Sequence, residues 1–255
     1  MTSRLELFAI PDFPMVRDGD VLPDLIADGL ARAGLTLHDR DVVVLAQKIV
    51  SKAEGRSVDL ATVVPTAEAL KLAEETGKDP RIVQVVLSDS VKVVRSRPNL
   101  MIMQHRLGFV MANAGVDQSN VAPTDGVQRA LLLPLDPDGS AEAIRAALAD
   151  RFGAKLGVVI SDSFGRPWRR GTAGVAIGCA GLPSFIDLRG QPDLFGRILE
   201  VSIIGFADEI AAAASLLQGQ AAEGQPVVVV RGLTWTAPEA PISDLVRPPE
   251  EDLFQ

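Results

Sequence analysis

The chain has 255 residues, 47 % hydrophobic and 23 % charged, which gives ample apolar content for a core and excludes a mostly disordered chain. Its 25 Lys and Arg against 33 Asp and Glu leave a net charge of −8, so general attraction to nucleic acid or to anionic membranes is excluded as a mode of action, and any bound phosphate must meet a local basic patch or metal ions. The single cysteine, Cys179, cannot form an intramolecular disulfide, which fits a reducing, cytoplasmic setting, and with only His38 and His105 beside it there are too few ligands for a His/Cys zinc site.

Residues 5–10 read as a short strand stopped at Pro11, and the first thirteen residues lack the apolar stretch of a signal peptide. Pro23 sits early in a helical pattern through Leu25, Ile26, Leu30 and Ala33 that Gly34 closes. Val42–Ala46 reads as a buried strand, and Thr66 and Gly77 bracket a helix carrying Ala69, Leu70, Leu72 and Ala73. Residues 91–94 and 109–111 look like strands. Ser140 is a suitable cap for a helix through Ile144, Leu148 and Phe152 that Gly153 ends. Residues 156–160 form a buried strand and 201–204 another. Asp208 opens an alanine-rich helix to Gln218, with Gly219 placed to stop it, and 227–230 is the last strand. After Trp235 the chain turns to Pro, Glu and Asp and reads as an exposed tail, 236–255, following one domain over 1–235. The apolar runs are strand-sized, far below a membrane span. Strands and helices mix without clean βαβ alternation, which predicts an α+β fold of mixed sheets with flanking helices.

There is no P-loop, no G-x-G-x-x-G and no G-x-S-x-G, and neither histidine sits in a nucleophile context. Four segments concentrate polar chemistry. Gln47, Lys48 and Lys52 follow a buried strand, where Lys52 is either a point charge for a phosphate or a solvated surface residue. Residues 113–120 combine small residues with Asp117, a cation ligand, and Asn120, or else form a plain turn. Residues 161–171 place Asp162 and Ser163, adjacent hard oxygens of the kind Mg²⁺ or Mn²⁺ takes, before Arg166, Arg169 and Arg170, which suit bidentate clamping of phosphate or carboxylate. Residues 218–225 follow the alanine-rich helix, either a cation-favouring helix end or an ordinary C-cap. The polar stretch 187–197 is either a substrate loop or an ion-paired surface. Cys179 and His105 both read as core residues.

In their order and spacing these segments resemble the coenzyme F420-0 γ-glutamyl ligases. The match runs through Ile10-Pro11, residues 44–56, 112–120, 160–171, 187–197 and 228–233, nearly the whole of 5–235. The resemblance implies GTP-dependent addition of L-glutamate to coenzyme F420-0, and of further γ-linked glutamates, with release of GDP and phosphate. It implies two divalent ions, Mg²⁺ or Mn²⁺, an assisting K⁺, and an intertwined homodimer of a fold unlike the P-loop enzymes. Carried over residue by residue, it puts the metal ligands on Asp117, Asp162, Ser163 and Gln220. Nucleotide contacts fall on Ile10, Pro11, Asp12, Phe13, Gln47, Lys48, Lys52, Asn120 and the run Gln218, Gly219, Gln220, Ala221, Ala222, Glu223, Gly224 and Gln225. Catalytic roles are expected of Lys52, Arg166 and Arg169, through an acyl phosphate made at the acceptor carboxylate. The chain departs from the family at Ser163, where Thr is usual, at Arg106-Leu107-Gly108, at Gly174 in place of an acidic residue, and at Gln218 in place of Met. At this length the flavin-binding domain that some relatives carry is not expected. Two rival readings are a metal-dependent nucleotide phosphohydrolase and a nonenzymatic GTP-binding protein.

Overall fold

The computed structural model describes residues 4–120 and 126–252. The chain enters through β1 (Glu6–Ala9), α1 (Leu22–Arg32), β2 (Val42–Ala46) and α2 (Gln47–Ala53). It then builds β3 (Ser57–Asp59), α3 (Ala67–Thr76), α4 (Pro80–Ser88), β4 (Ser90–Arg97), β5 (Leu100–His105), β6 (Val110–Ala112) and β7 (Arg129–Leu131). It returns through α5 (Pro137–Phe152), β8 (Gly157–Gly165), β9 (Thr172–Ala180), β10 (Ile186–Asp187), β11 (Ile203–Ile204), α6 (Phe206–Gln218) and β12 (Val227–Arg231).

The main sheet has the order β1-β12-β2-β8-β9; β2 and β8 run parallel and the other pairs antiparallel. Period-2 alternation sorts its valines onto two faces. Val43, Leu45, Val158, Ile160, Val227 and Val229 meet Ile26 and Leu30 of α1 and Ile144 and Leu148 of α5. Val42, Val44, Val159, Val228 and Val230 meet Ala207, Ile210, Ala211 and Ala214 of α6. Both faces are covered, which is why these strands read as unbroken apolar runs. A second core, around Leu60, Leu72, Val83, Val86, Met101 and Met103, joins α3 and α4 to the β4-β5-β6 sheet. The two bodies are tied at Asp89, which takes Arg56 at 3.1 Å and Arg106 at 3.4 Å while both arginines also donate to carbonyls of residues 133–135. His105 is fully buried, its Nδ1 accepting the Leu107 amide, as a core residue.

The α+β class holds, and so do the Thr66 cap and the Gly77 and Gly153 stops. Several local expectations change. The cap of α5 is Asp136, which accepts the Gly139 amide; Ser140 lies inside the helix, because Pro137 at the first turn fits a start four residues earlier. The helix expected from Asp208 begins at Phe206, and the strand expected over 201–204 shrinks to Ile203–Ile204. Residues 161–165 are not loop but continue β8 into a hairpin with β9. The segment after Trp235 folds back on the chain: Ile242 is buried, and Trp235 and Leu245 pack on the α6 side of the sheet.

Candidate active site

The strand register decides which segments meet. Ala9 pairs with Val228, Val227 with Leu45, and Ala46 with Ser161. The C-terminal ends of β1, β2 and β8 and the N-terminal end of β12 therefore share one end of the sheet. Ligand sites in sheets of this kind are commonly built at strand ends. Residues 13–16, α2, the Asp162 region and the loop before β12 accordingly surround a cleft of about 620 Å³. Its lining includes Phe13, Gln47, Lys48, Lys52, Asn120, Asp162, Ser163 and residues 218–226.

One wall is α2 with the turn after β6. Gln47 is buried and accepts the Ser51 hydroxyl at 2.8 Å. Asp117 is held by backbone bonds in both directions with Leu131, so its side chain has a fixed origin. Its Oδ2 meets Lys48 Nζ at 2.7 Å, and the Ser119 amide donates to its Oδ1 at 2.7 Å. Burial works to raise the Asp117 carboxyl, but the Lys48 ammonium and the Ser119 donors prevail and hold it below the ordinary carboxylate range. Lys52 donates to the Asn120 carbonyl at 2.7 Å, and Asn120 Nδ2 donates to the Ala221 carbonyl at 3.2 Å, so a polar chain crosses from α2 to the opposite wall. Burial, and then the neighbouring Lys48 charge, lower the Lys52 ammonium.

Asp162 and Ser163 are neighbours in a strand, so their side chains leave opposite faces. Asp162 falls on the α2 side, within the fields of Lys48 and Asp117. Loss of water pushes its carboxyl up to about 6, against the opposing Ser163 amide and Lys48 charge, and the Asp117 charge adds to the rise. Ser163 pairs with Gly174, whose missing side chain would run into Ala211 and Ser215 of α6, so Ser163 falls on the α6 side. The adjacent oxygens expected to act as one pair are thus divided between two sides of the strand end.

The other wall is the end of α6 and its loop. Gln218 donates to the Pro226 carbonyl at 3.3 Å and accepts the Ser161 hydroxyl at 3.4 Å, which closes the loop back onto the sheet. Within the loop Glu223 accepts the Ala221 amide at 2.8 Å. That bond first, then the amides of residues 223 and 220, depress its carboxyl below the ordinary value. Backbone amides of this loop thus point toward one carboxylate, the kind of arrangement that accepts an anion.

Not every expected residue reaches the cleft. Ile10 is fully buried and its amide donates to the Val227 carbonyl, so its side chain belongs to the core. Pro11 and Asp12 are exposed beside the cleft, and only Phe13 of that run lines it. Arg166, Arg169 and Arg170 sit exposed on the tip of the β8–β9 hairpin, outside the lining. Residues 187–197 form an exposed arm in which Arg189 pairs with Asp187 at 2.6 Å. Sequence reasoning gave Ser161 no role within the 161–171 segment, and it missed Met15, Val16 and Ser215, which line the cleft without a local signal.

Among the described residues no three His, Cys, Asp or Glu side chains gather at a point. The donor set is the Asp162 carboxylate, the Ser163 hydroxyl and the Gln220 amide of the lining, with the Asp117 carboxylate, outside the lining, paired to Lys48. That set suits a hard ion completing its shell with phosphate oxygens and water, as Mg²⁺ and Mn²⁺ do, and the Lys48 ammonium already occupies a cation position on Asp117. In donor type, though not as a gathered ligand cluster, the residues suit such an ion.

A family model described as F420-0:Gamma-glutamyl ligase matches residues 12–232. The chain is 45 % identical over 253 residues to the coenzyme F420:L-glutamate ligase of Methanothermobacter thermautotrophicus, covering 98 % of this chain and 99 % of that one. It is 42 % identical to the enzyme of that name from Methanopyrus kandleri, covering 100 % and 98 %, and 40 % identical to that from Methanocaldococcus jannaschii, covering 96 % and 94 %. Among the described residues no helix is long and apolar enough to cross a membrane.

Proposed function

From the premise that the chain belongs to the F420-0:gamma-glutamyl ligase family, we propose that it is a cytoplasmic, homodimeric enzyme of coenzyme F420 biosynthesis that ligates L-glutamate to coenzyme F420-0 at the expense of GTP. The observation that supports this best is the convergence of basic, acidic and amide groups from separate stretches of chain on one cleft at one end of the sheet. A carboxylate is a poor acyl donor and must be activated before an amine displaces anything from it. The acceptor's terminal carboxylate attacks the γ-phosphorus of GTP, a bond to oxygen forms, and GDP leaves. The α-amine of glutamate then attacks the acyl phosphate and phosphate leaves. Divalent ions with an assisting K⁺, when bound, would offset the charge on the transferring phosphoryl group.

The chain's own residues carry the rest. Asp117 and Asp162 on the α2 side, and Ser163 and Gln220 on the α6 side, would hold the divalent ions. Lys48 and Lys52 face the phosphates as point charges. The amides of residues 220, 221 and 223 would supply donors to a phosphate in place of Glu223. Arg166 and Arg169, mounted on a hairpin outside the cleft, would hold the anionic acceptor or glutamate when the hairpin or a second subunit brings them in.

Mass spectrometry of the deazaflavin after incubation with GTP, Mg²⁺ or Mn²⁺ and glutamate tests this reading. The expected product is heavier by one glutamyl residue per ligation. Phosphate release with an unchanged deazaflavin would establish the phosphohydrolase instead, and GTP binding without turnover the binding protein. Lys52→Ala is expected to weaken GTP binding about tenfold or more, the scale of a charged hydrogen bond. Calorimetry showing unchanged GTP affinity would remove Lys52 from the site.

A further inference from the structure

The Lys48 ammonium is engaged where an ion would have to bind. It lies 2.7 Å from Asp117 Oδ2 and donates to Ser119 Oγ at 2.6 Å. The Ser119 hydroxyl in turn donates to the same Oδ2 at 2.8 Å, and the Ser119 amide takes Oδ1. Both oxygens of Asp117 are therefore occupied by donors. A divalent ion binds carboxylate oxygen at about 2.0–2.6 Å. An ammonium already at that oxygen and an incoming dication cannot share it, because like charges repel strongly at such a distance inside a protein cleft.

We propose that Lys48 is the resident counter-ion of the metal site, holding Asp117 in the nucleotide-free protein and giving way when a triphosphate offers its ammonium a new anionic partner. This rests on the metal reading of Asp117 given above. Lys48 stands on the first turn of α2 in the wall of the cleft, and its four-carbon stem lets the ammonium move from carboxylate to phosphate without backbone change. The Asp117 carboxylate is held in place by Lys48 and by both Ser119 donors. Metal alone binds weakly, and nucleotide and metal load together, since each favours the Lys48 position that admits the other. Lys48 is a positioning residue in this respect, distinct from its contact with phosphate.

The test is direct Mn²⁺ binding to the full chain, followed by electron paramagnetic resonance of the free ion, with no nucleotide present. Lys48→Met removes the competitor and keeps the apolar stem, and is expected to bind Mn²⁺ about tenfold tighter than wild type or more, the scale of a partly desolvated charge pair. Lys48→Arg keeps the cation and is expected to stay close to the wild-type affinity. Adding a nonhydrolysable GTP analogue is expected to tighten Mn²⁺ binding by wild type and to narrow the gap to Lys48→Met. A gain of affinity is a result that mere structural damage does not produce. If Lys48→Met binds Mn²⁺ no tighter than wild type, Lys48 is not a counter-ion and the proposal is overturned. If wild type binds no Mn²⁺ even with the analogue, the metal reading fails first and takes this proposal with it.

Discussion

Asp162→Asn is expected to abolish ligation and, in metal-free protein at pH 8, to make the fold more stable. The two effects have one cause. The Asp162 carboxyl is pushed from its ordinary 3.8 up to about 6 because its charged form has lost water at the bottom of the cleft. A carboxyl raised in the native state favours the native state below the unfolded pKa. That advantage is lost as pH rises from about 4 through about 6, where the unfolded chain ionises first. Above pH 6 the metal-free native protein carries a penalty on the order of 3 kcal/mol. Asparagine keeps the oxygen that accepts the Ser163 amide and removes the charge. The stability gap between variant and wild type should therefore be small near pH 4 and largest above pH 6, as read by urea denaturation of metal-free protein. With Mn²⁺ and nucleotide present wild type should recover stability by mass action and the variant should not. Wild-type turnover by Asp162→Asn would refute its place in the site, and a variant no more stable than wild type at pH 8 would refute the buried charge.

The largest purely structural loss is expected from Asp41→Ala. Asp41, just before β2, is buried to 1 % exposure and takes a fork of hydrogen bonds from Arg231 at the end of β12, at 2.9 and 2.6 Å. The His38 amide also donates to it at 2.8 Å. Arg231 further donates to the Thr36 carbonyl and lies over the Phe8 ring. Removing Asp41 leaves the partly exposed Arg231 guanidinium without its counter-charge and the His38 amide without its acceptor, which costs about 1–3 kcal/mol. This clamp sits at the end of the sheet opposite the cleft, so kcat well below the unfolding transition should be near wild type. The double variant Asp41→Leu with Arg231→Met should regain much of the stability, because apolar replacement of both partners leaves no unpaired charge. A single variant within about 1 kcal/mol of wild type would show that the clamp is solvated.

Much of the fold was legible where local signals are strong. The β2 valines, the Thr66 cap and the Gly153 stop all sit where expected. The strand β9 was not legible, and the reason lies in packing. Its run Thr-Ala-Gly-Val-Ala-Ile-Gly-Cys-Ala is rich in small residues, which lowers strand propensity. A side chain at Gly174 would strike the Ala211 carbonyl of α6, and one at Gly178 would strike the backbone of Pro137 in α5. The small residues are there because helices press directly on the strand, and no local pattern announces that. Likewise Lys48 and Lys52, taken alone, read as solvated residues until Asp117 and the Asn120 carbonyl, some seventy positions on, supply their partners.

The amino-acid order by itself settled the class of fold, the absence of nucleophile and P-loop motifs, and, through the resemblance, the family and the residue types available for chemistry. Folding in three dimensions decided which of those residues meet. Strand β12 inserts between β1 and β2, pairing Val230 with Val42, so the loop before it closes on α2. Period-2 geometry sends Asp162 and Ser163 to different sides, and the hairpin carries Arg166 and Arg169 outward. Helix and strand periods are local and visible in a run of ten residues. Pairing between stretches nearly two hundred residues apart is set by the fit of whole buried faces, and only the folded molecule displays it.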